Sequence, residues 1–201
     1  MNYYHNLITD KSWRLLRDLV KKYDFILIGG WAVFLYTKAL KSKDVDIVLE
    51  HNALMGFKED FEVFKNDRLK KYEAKKEEID IDIYIPFYSN PGIPAEELIN
   101  YAVIVEGFKV VRKEILAVLK VKTLSQRGGS VKGRKDLVDL VSLFSLPDFD
   151  WNMFKNSISK NILAKELAQA EEIIKKTTSL EELNLNVHKM ARFKKKLFTH
   201  L

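Results

Sequence analysis

Asp44 and Asp46 stand with one residue between them in the segment FILIGGWAVFLYTKALKSKDVDIVLE, 14 residues after the pair Gly29-Gly30. Alternation along a strand points both side chains to one side. Two acids so placed repel each other and raise each other's pKa unless a cation sits between them. Divalent Mg2+ is the usual resolution, and phosphate groups are its usual third party. Metal-assisted phosphoryl or nucleotidyl transfer is the chemistry this spacing predicts. A third carboxylate is available in IDIDIYI, residues 79–85. There Ile79, Ile81, Ile83 and Ile85 share one face, and Asp80, Asp82 and Tyr84 the other. Asp82 is the preferred third acid, with Asp80 on the same face as the alternative. If this strand neighbours the Asp44 strand, three acids converge where two Mg2+ ions could bind.

The elements that must hold these residues are legible around them. Residues 9–23 predict a helix with Thr9 or Asp10 as cap, and residues 25–28 a buried strand. Gly29-Gly30 turns the chain into a helix over 31–40, which lets backbone N–H groups approach a phosphate closely. A strand over 45–49 and a helix over 52–64 capped by Asn52 follow, then a lysine-rich edge strand over 68–75. Residues 102–105 and 108–111, separated by Glu106-Gly107, form a hairpin. From Lys113 onward only helices are predicted, over 113–127, 132–144, 151–157, 161–176 and 180–198. The fold class is therefore α/β, a mixed sheet flanked by helices and followed by a helical C-terminal region. The expected division is a catalytic domain over 1–112 and a helical domain over 113–201.

The chain has 201 residues, 47% hydrophobic, enough for a sizeable core. No apolar stretch approaches the roughly 20 residues of a membrane span, and the start MNYYHNLITDKSW lacks the regions of a signal peptide. Without cysteine, any metal binds oxygen or imidazole, which favours Mg2+ or Mn2+, and a cytoplasmic location is the simplest expectation. A net charge of +6 is compatible with a polyanionic partner without requiring one.

The arrangement resembles the nucleotidyltransferase superfamily of the polymerase-beta-type fold. That family's pattern is apolar-Gly-Gly/Ser, then Asp-x-Asp, then a third acid on a later strand; here IGGWAV, KDVDIVL and IDIDIY follow in that order. The later EILAVLKVKTLSQRGGSVKGRKDLVDLVSL is similar to the Lys-x6-Arg and Lys-Asp-x2-Asp pattern of the subgroup related to AbiEii-type toxins. The resemblance covers about residues 24–146 and is more specific for the superfamily than for the subgroup. It implies that Gly29 and Gly30 cradle the nucleotide phosphates and that Asp44 and Asp46 ligate metal. Asp82 is then the third metal-binding acid and the base for the incoming hydroxyl. Lys120 and Arg127 would face the triphosphate, with Lys122 the alternative to Lys120. Asp136 and Asp139 would orient helices or basic side chains. The implied partners are an NTP, an RNA acceptor such as a tRNA end, and a cognate antitoxin-like protein. Protein or small-molecule acceptors, and a non-catalytic role in a toxin–antitoxin pair, stay open.

There are departures. Many family members carry Ser where this chain has Gly30. Trp31 is shared with antibiotic-modifying nucleotidyltransferases, which keeps a small-molecule acceptor in view. The segment GGSVKGRK, residues 128–135, imitates a P-loop but lacks the Lys-Ser/Thr end and is read as a flexible basic loop. His5, His51, His188 and His200 show no ligand spacing. The C-terminal KMARFKKKLFTH suits a helix packed through Met190, Phe193, Leu197 and Phe198, with Arg192, Lys194, Lys195 and Lys196 outside, a track for an RNA backbone.

Overall fold

The computed structural model describes the backbone of residues 2–201 and the side chains from residue 7 onward; the His5 side chain lies outside the described residues. Helix α1 (Asn2–Lys22) leads to β1 (Ile26–Ile28), α2 (Gly29–Thr37), β2 (Val45–Val48) and α3 (His51–Asp60). Then come β3 (Val63–Asn66), β4 (Lys71–Lys76), β5 (Ile79–Tyr84), the short α4 (Ala95–Leu98), β6 (Ala102–Val105) and β7 (Phe108–Val111). The rest is helical: α5 (Lys113–Arg127), α6 (Val131–Phe144), α7 (Trp151–Lys160), α8 (Ala164–Lys176) and α9 (Val187–Leu197). The mixed α/β class is as the sequence predicts.

The strands form one seven-stranded mixed sheet in the order β3-β4-β5-β2-β1-β7-β6. β1 sits inside it, between β2 and β7, so all three of its residues are buried and its sequence is uniformly apolar. β5 runs parallel to β2, and the register sets Asp82 beside Asp46. Continued across the sheet, one row reads Glu73, Asp82, Asp46, Ile28. The isoleucines of β5 are buried while Asp80 is exposed and Asp82 half-buried. β5 is an interior strand, so its polar face is not the solvent side of a sheet edge.

Several expected boundaries move. The helix predicted over 52–64 ends at Asp60, because Val63 and Phe64 prefer the extended backbone of β3, which pairs with β4. β3 therefore takes the sheet edge, and the strand predicted as an edge starts at Lys71 and lies inside. Thr9 and Asp10 do not cap α1; with no Gly or Pro before them the helix extends back to Asn2. Asn52 does not cap α3 either, since Glu50 holds that position and the Asn52 side chain accepts from the N–H of Ala53. The supposed flexible loop shrinks to residues 128–130, because the Ser130 hydroxyl accepts from the Gly133 N–H and starts α6. The helix predicted over 180–198 splits. Asn184 adopts a left-handed φ of 54°, and the Asn186 side chain caps a new start by accepting from the Lys189 N–H.

The apolar core is continuous from the sheet into the helical region, joining Val110 and Val111 of β7 to Ile115, Val118 and Val121 of α5 and Leu140 of α6. Helix α5 packs against α2, α6, α7 and α8. Among the described residues no helix is long and apolar enough to cross a membrane.

Candidate functional site

The site grows from the end of β1. Gly29 opens α2 with φ +66°, and a side-chain carbon there would lie 2.0 Å from Asp46 Oδ2. Only glycine permits both that backbone and a carboxylate this close. The Asp46 side chain makes no ion pair or hydrogen bond with the described residues, although Asp82 is its register neighbour and Asp44 lies two residues before it. Burial, and then the charges of Asp82 and Asp44, push its pKa up to about 6 against the pull of Lys120 and Lys135.

At Gly30 the same crowding involves a cation. A side-chain carbon would fall 2.6 Å from Ser42 Oγ and 2.9 Å from Lys135 Nζ, and the lysine donates to that hydroxyl at 2.9 Å. Burial draws the Lys135 ammonium down from its ordinary value, with Asp139, Asp46 and Asp44 opposing. A hydroxyl, that of Ser42, therefore stands beside Gly30. Ser42 does not stand out in the sequence, and Lys135 does so only as the first residue of the Lys-Asp-x2-Asp pattern, which leaves it without a role. The available signal for Lys135 is its place one turn before Asp139 on α6, which aims it at the acids.

Asp82 faces the other way along its row. Its Oδ2 lies 2.6 Å from the ammonium of Lys71, which also reaches Glu73 Oε1 at 2.9 Å. Burial still leaves Asp82 above the usual carboxylate range, Lys71 notwithstanding. Asp80, the alternative, is exposed and 3.9 Å from Lys75. Tyr84 shares the Asp82 face; burial and the charges of Asp46 and Asp82 hold its hydroxyl well above its ordinary pKa. The strands converge as predicted, but the three carboxylates do not close on one point. Among the described residues no group of three or more Asp, Glu, His or Cys is placed to hold a metal ion. The residues that fit a hard divalent cation are Asp44 and Asp46: an all-oxygen pair, one member of which is half-buried with no side-chain partner among the described residues.

Lys120 and Arg127, expected to face a triphosphate, are drawn into a second assembly. Lys120 Nζ donates to Asp136 Oδ1 at 2.9 Å and lies 2.7 Å from Asp139 Oδ2, an ion pair without aligned hydrogen-bond geometry. Arg127 Nη1 donates to Asp136 Oδ2 at 2.8 Å while staying 45% exposed. Burial alone would lower the Lys120 pKa; the two aspartates outweigh it and raise it. Lys122 points away, to Glu166 on α8 at 2.7 Å. Trp31 is buried, donates to Ser12 Oγ at 2.8 Å and packs on Trp13, so it serves the core and offers no surface to an acceptor. His51 and His188 are exposed, and His200 stacks on Trp151. On α9, Met190 and Leu197 are buried as predicted, but Lys194 turns inward to the carbonyls of Lys175 and Thr177. Arg192, Lys195 and Lys196 stay outside.

No protein-family model matches the chain, and no curated protein does. Solved structures do. JHP933 from Helicobacter pylori aligns with a TM-score of 0.55 at 15% identity, over 96% of this chain and 91% of that one. A further H. pylori structure, of a protein assigned as a nucleotidyltransferase, aligns with a TM-score of 0.53 at 15% identity, over 96% and 93%. What is shared at this identity is the fold, over nearly the whole of each chain. The chain has a nucleotidyltransferase-type fold, with the diglycine turn, the Asp44/Asp46 pair and Asp82 on adjacent elements at its centre.

Proposed function

We propose that this chain transfers a nucleoside monophosphate from an NTP to an acceptor hydroxyl and releases pyrophosphate, with Mg2+ or Mn2+ held by Asp44 and Asp46. The observation that carries this reading is Asp46: a carboxylate without a protein partner, pressed against a glycine that opens a helix. A bound divalent cation supplies neutralisation of phosphate charge and lowers the pKa of a hydroxyl near it. The chain's own residues do the rest. The backbone of Gly29 and Gly30 at the start of α2 admits phosphate oxygens, and Lys135 beside Gly30 adds a fixed positive charge. Asp82, held above the usual carboxylate range by burial, takes the proton of the acceptor hydroxyl. The acceptor oxygen bonds to the α-phosphorus as the bond to the β-phosphate oxygen breaks, in line.

RNA is the acceptor class we favour, on the net charge of +6 and the exposed Arg192, Lys195 and Lys196. A toxin-like role with a cognate antitoxin-like protein belongs to the same reading. The test incubates the protein with each α-32P-labelled NTP, Mg2+ or Mn2+ and total RNA, beside Asp44→Asn/Asp46→Asn. Label on a discrete RNA band with the wild type alone is the expected result. Label on protein instead replaces the acceptor, and no label with RNA, protein or a screen of small hydroxyl compounds removes the enzymatic reading.

A further inference from the structure

The Asp-rich strands contain a lysine in a place that solvent-facing lysines do not occupy. Lys71 is only 9% exposed, on an interior strand, one pleat from Glu73 and diagonal to Asp82. Its ammonium is fixed from two sides, at 2.6 Å from Asp82 Oδ2 and 2.9 Å from Glu73 Oε1, and Glu73 is in turn held by Asn66 Nδ2 at 3.0 Å. The neighbouring Lys75–Asp80 pair shows what an incidental contact on the same two strands looks like: both side chains are mostly exposed and 3.9 Å apart. The Lys71 contact follows from the register, which pairs Glu73 with Asp82 and so places Lys71 within one long side chain of it.

Charge balance around the row points the same way. Four carboxylates, Asp44, Asp46, Glu73 and Asp82, face two ammonium groups, Lys71 and Lys135. The remaining two negative charges match one divalent ion. A second divalent ion on Asp82 would have to share that carboxylate with an ammonium that has little water to screen it.

We propose that Lys71 is a built-in monovalent cation at Asp82, so that the protein takes one divalent ion, at Asp44 and Asp46, where three converging acids would take two. Lys71 is a positioning residue: it fixes the Asp82 carboxylate while denying it to metal. The inference rests on the proposed metal-dependent reading of the site.

The test counts Mn2+ bound by the purified, EDTA-stripped protein, by electron paramagnetic resonance of free Mn2+ and by calorimetry. The wild type binds one ion, and Asp46→Asn loses it. Lys71→Met, which keeps the apolar stem, binds two, whereas Lys71→Arg, which keeps the charge, binds one. Asp82→Asn changes the affinity of the wild-type ion by less than about threefold, because Asp82 does not ligate it. Two ions on the wild type, an unchanged count in folded Lys71→Met, or a tenfold loss in Asp82→Asn each overturns the role of Lys71 and leaves the metal-dependent reading intact. No Mn2+ bound by the wild type overturns both. Should Lys71→Met fail to fold, the wild-type count and Asp82→Asn decide.

Discussion

Two acidic assemblies lie within reach of each other's charge, built from nearly the same residue types to opposite ends. Between α5 and α6, Asp136 and Asp139 close around Lys120, with Arg127 completing the outer side. On the sheet, Asp46 carries no partner at all, and its charge is opposed by those of Lys120 and Lys135 only at a distance. The helical assembly balances its charge with its own side chains, although both Asp139 oxygens lack a hydrogen bond. The sheet assembly leaves negative charge uncompensated where the Asp46 carboxylate presses on a glycine. Among the described residues the half-buried Asp46 side chain has no ion pair or hydrogen bond, and a partly desolvated, unpaired charge is costly. The difference separates a clamp from a site, and each variant below pushes one toward the other.

The largest effect belongs to Lys120→Met. It removes the cation between Asp136 and Asp139, which are 2% and 0% exposed, leaving two buried acids to repel each other. Breaking a buried pair from one side costs about 3–5 kcal/mol. Urea unfolding should show a loss of that size at pH 7. An unfolding midpoint within experimental scatter of the wild type would mean that the clamp is no clamp.

Gly29→Ala strikes the open assembly instead. A left-handed backbone costs an ordinary residue about 1–2 kcal/mol, and the new carbon must also displace the Asp46 carboxylate. A loss of about 2 kcal/mol accompanied by loss of Mn2+ binding is expected; unaltered Mn2+ affinity would show that Asp46 is not positioned by this contact.

Asp46→Asn has the opposite sign from Lys120→Met. The native pKa is raised to about 6 from an unfolded value near 3.8. Below about pH 3 both states hold the proton and the residue contributes nothing through its charge. Between the two values the native state binds more protons, so stability falls as pH rises, and above about 6 the full cost is present. Every tenfold difference in proton affinity between the native and unfolded states corresponds to about 1.4 kcal/mol, and solvent reaching the half-buried side chain reduces the total. Metal-free Asp46→Asn should therefore be more stable than the wild type by about 1–2 kcal/mol at about pH 7.5 and equal to it at about pH 3. Thermal unfolding in EDTA at the two pH values reads this directly; a variant that is less stable at the higher pH would mean that Asp46 has a stabilising partner.

What the sequence showed and what it hid divides along a physical line. Local periodicity was enough for β1, β5, the β6–β7 hairpin and α5, because in each the apolar pattern alone decides burial. It also gave Gly29, Asp44, Asp46 and Asp82 as neighbours through their family order. What it could not give was pairing between strands. That Lys71 stands diagonal to Asp82, and that Lys135 arrives at Gly30 from α6, depend on register and helix packing, which one strand or helix read by itself does not contain. The same gap misplaced Lys120. Its spacing from Arg127 puts the two on one helical face, but only the position of α6 reveals that the face meets Asp136 and Asp139 before anything else.

Arg127 belongs partly to each assembly and carries the smallest and most discriminating prediction. Its guanidinium bonds a buried aspartate yet remains 45% exposed, and Asp136 keeps Lys120 when Arg127 is gone. Arg127→Gln should then cost less than about 1 kcal/mol, as exposed pairs do. If the exposed part of Arg127 meets the triphosphate, the same substitution raises KM for the NTP about tenfold with kcat little changed, the signature of lost binding common to ground and transition states. A drop in stability comparable to that of Lys120→Met, with KM unmoved, would assign Arg127 wholly to the clamp. Triphosphate recognition would then fall to Lys135 and the diglycine turn, because the two aspartates hold the Lys120 ammonium between α5 and α6.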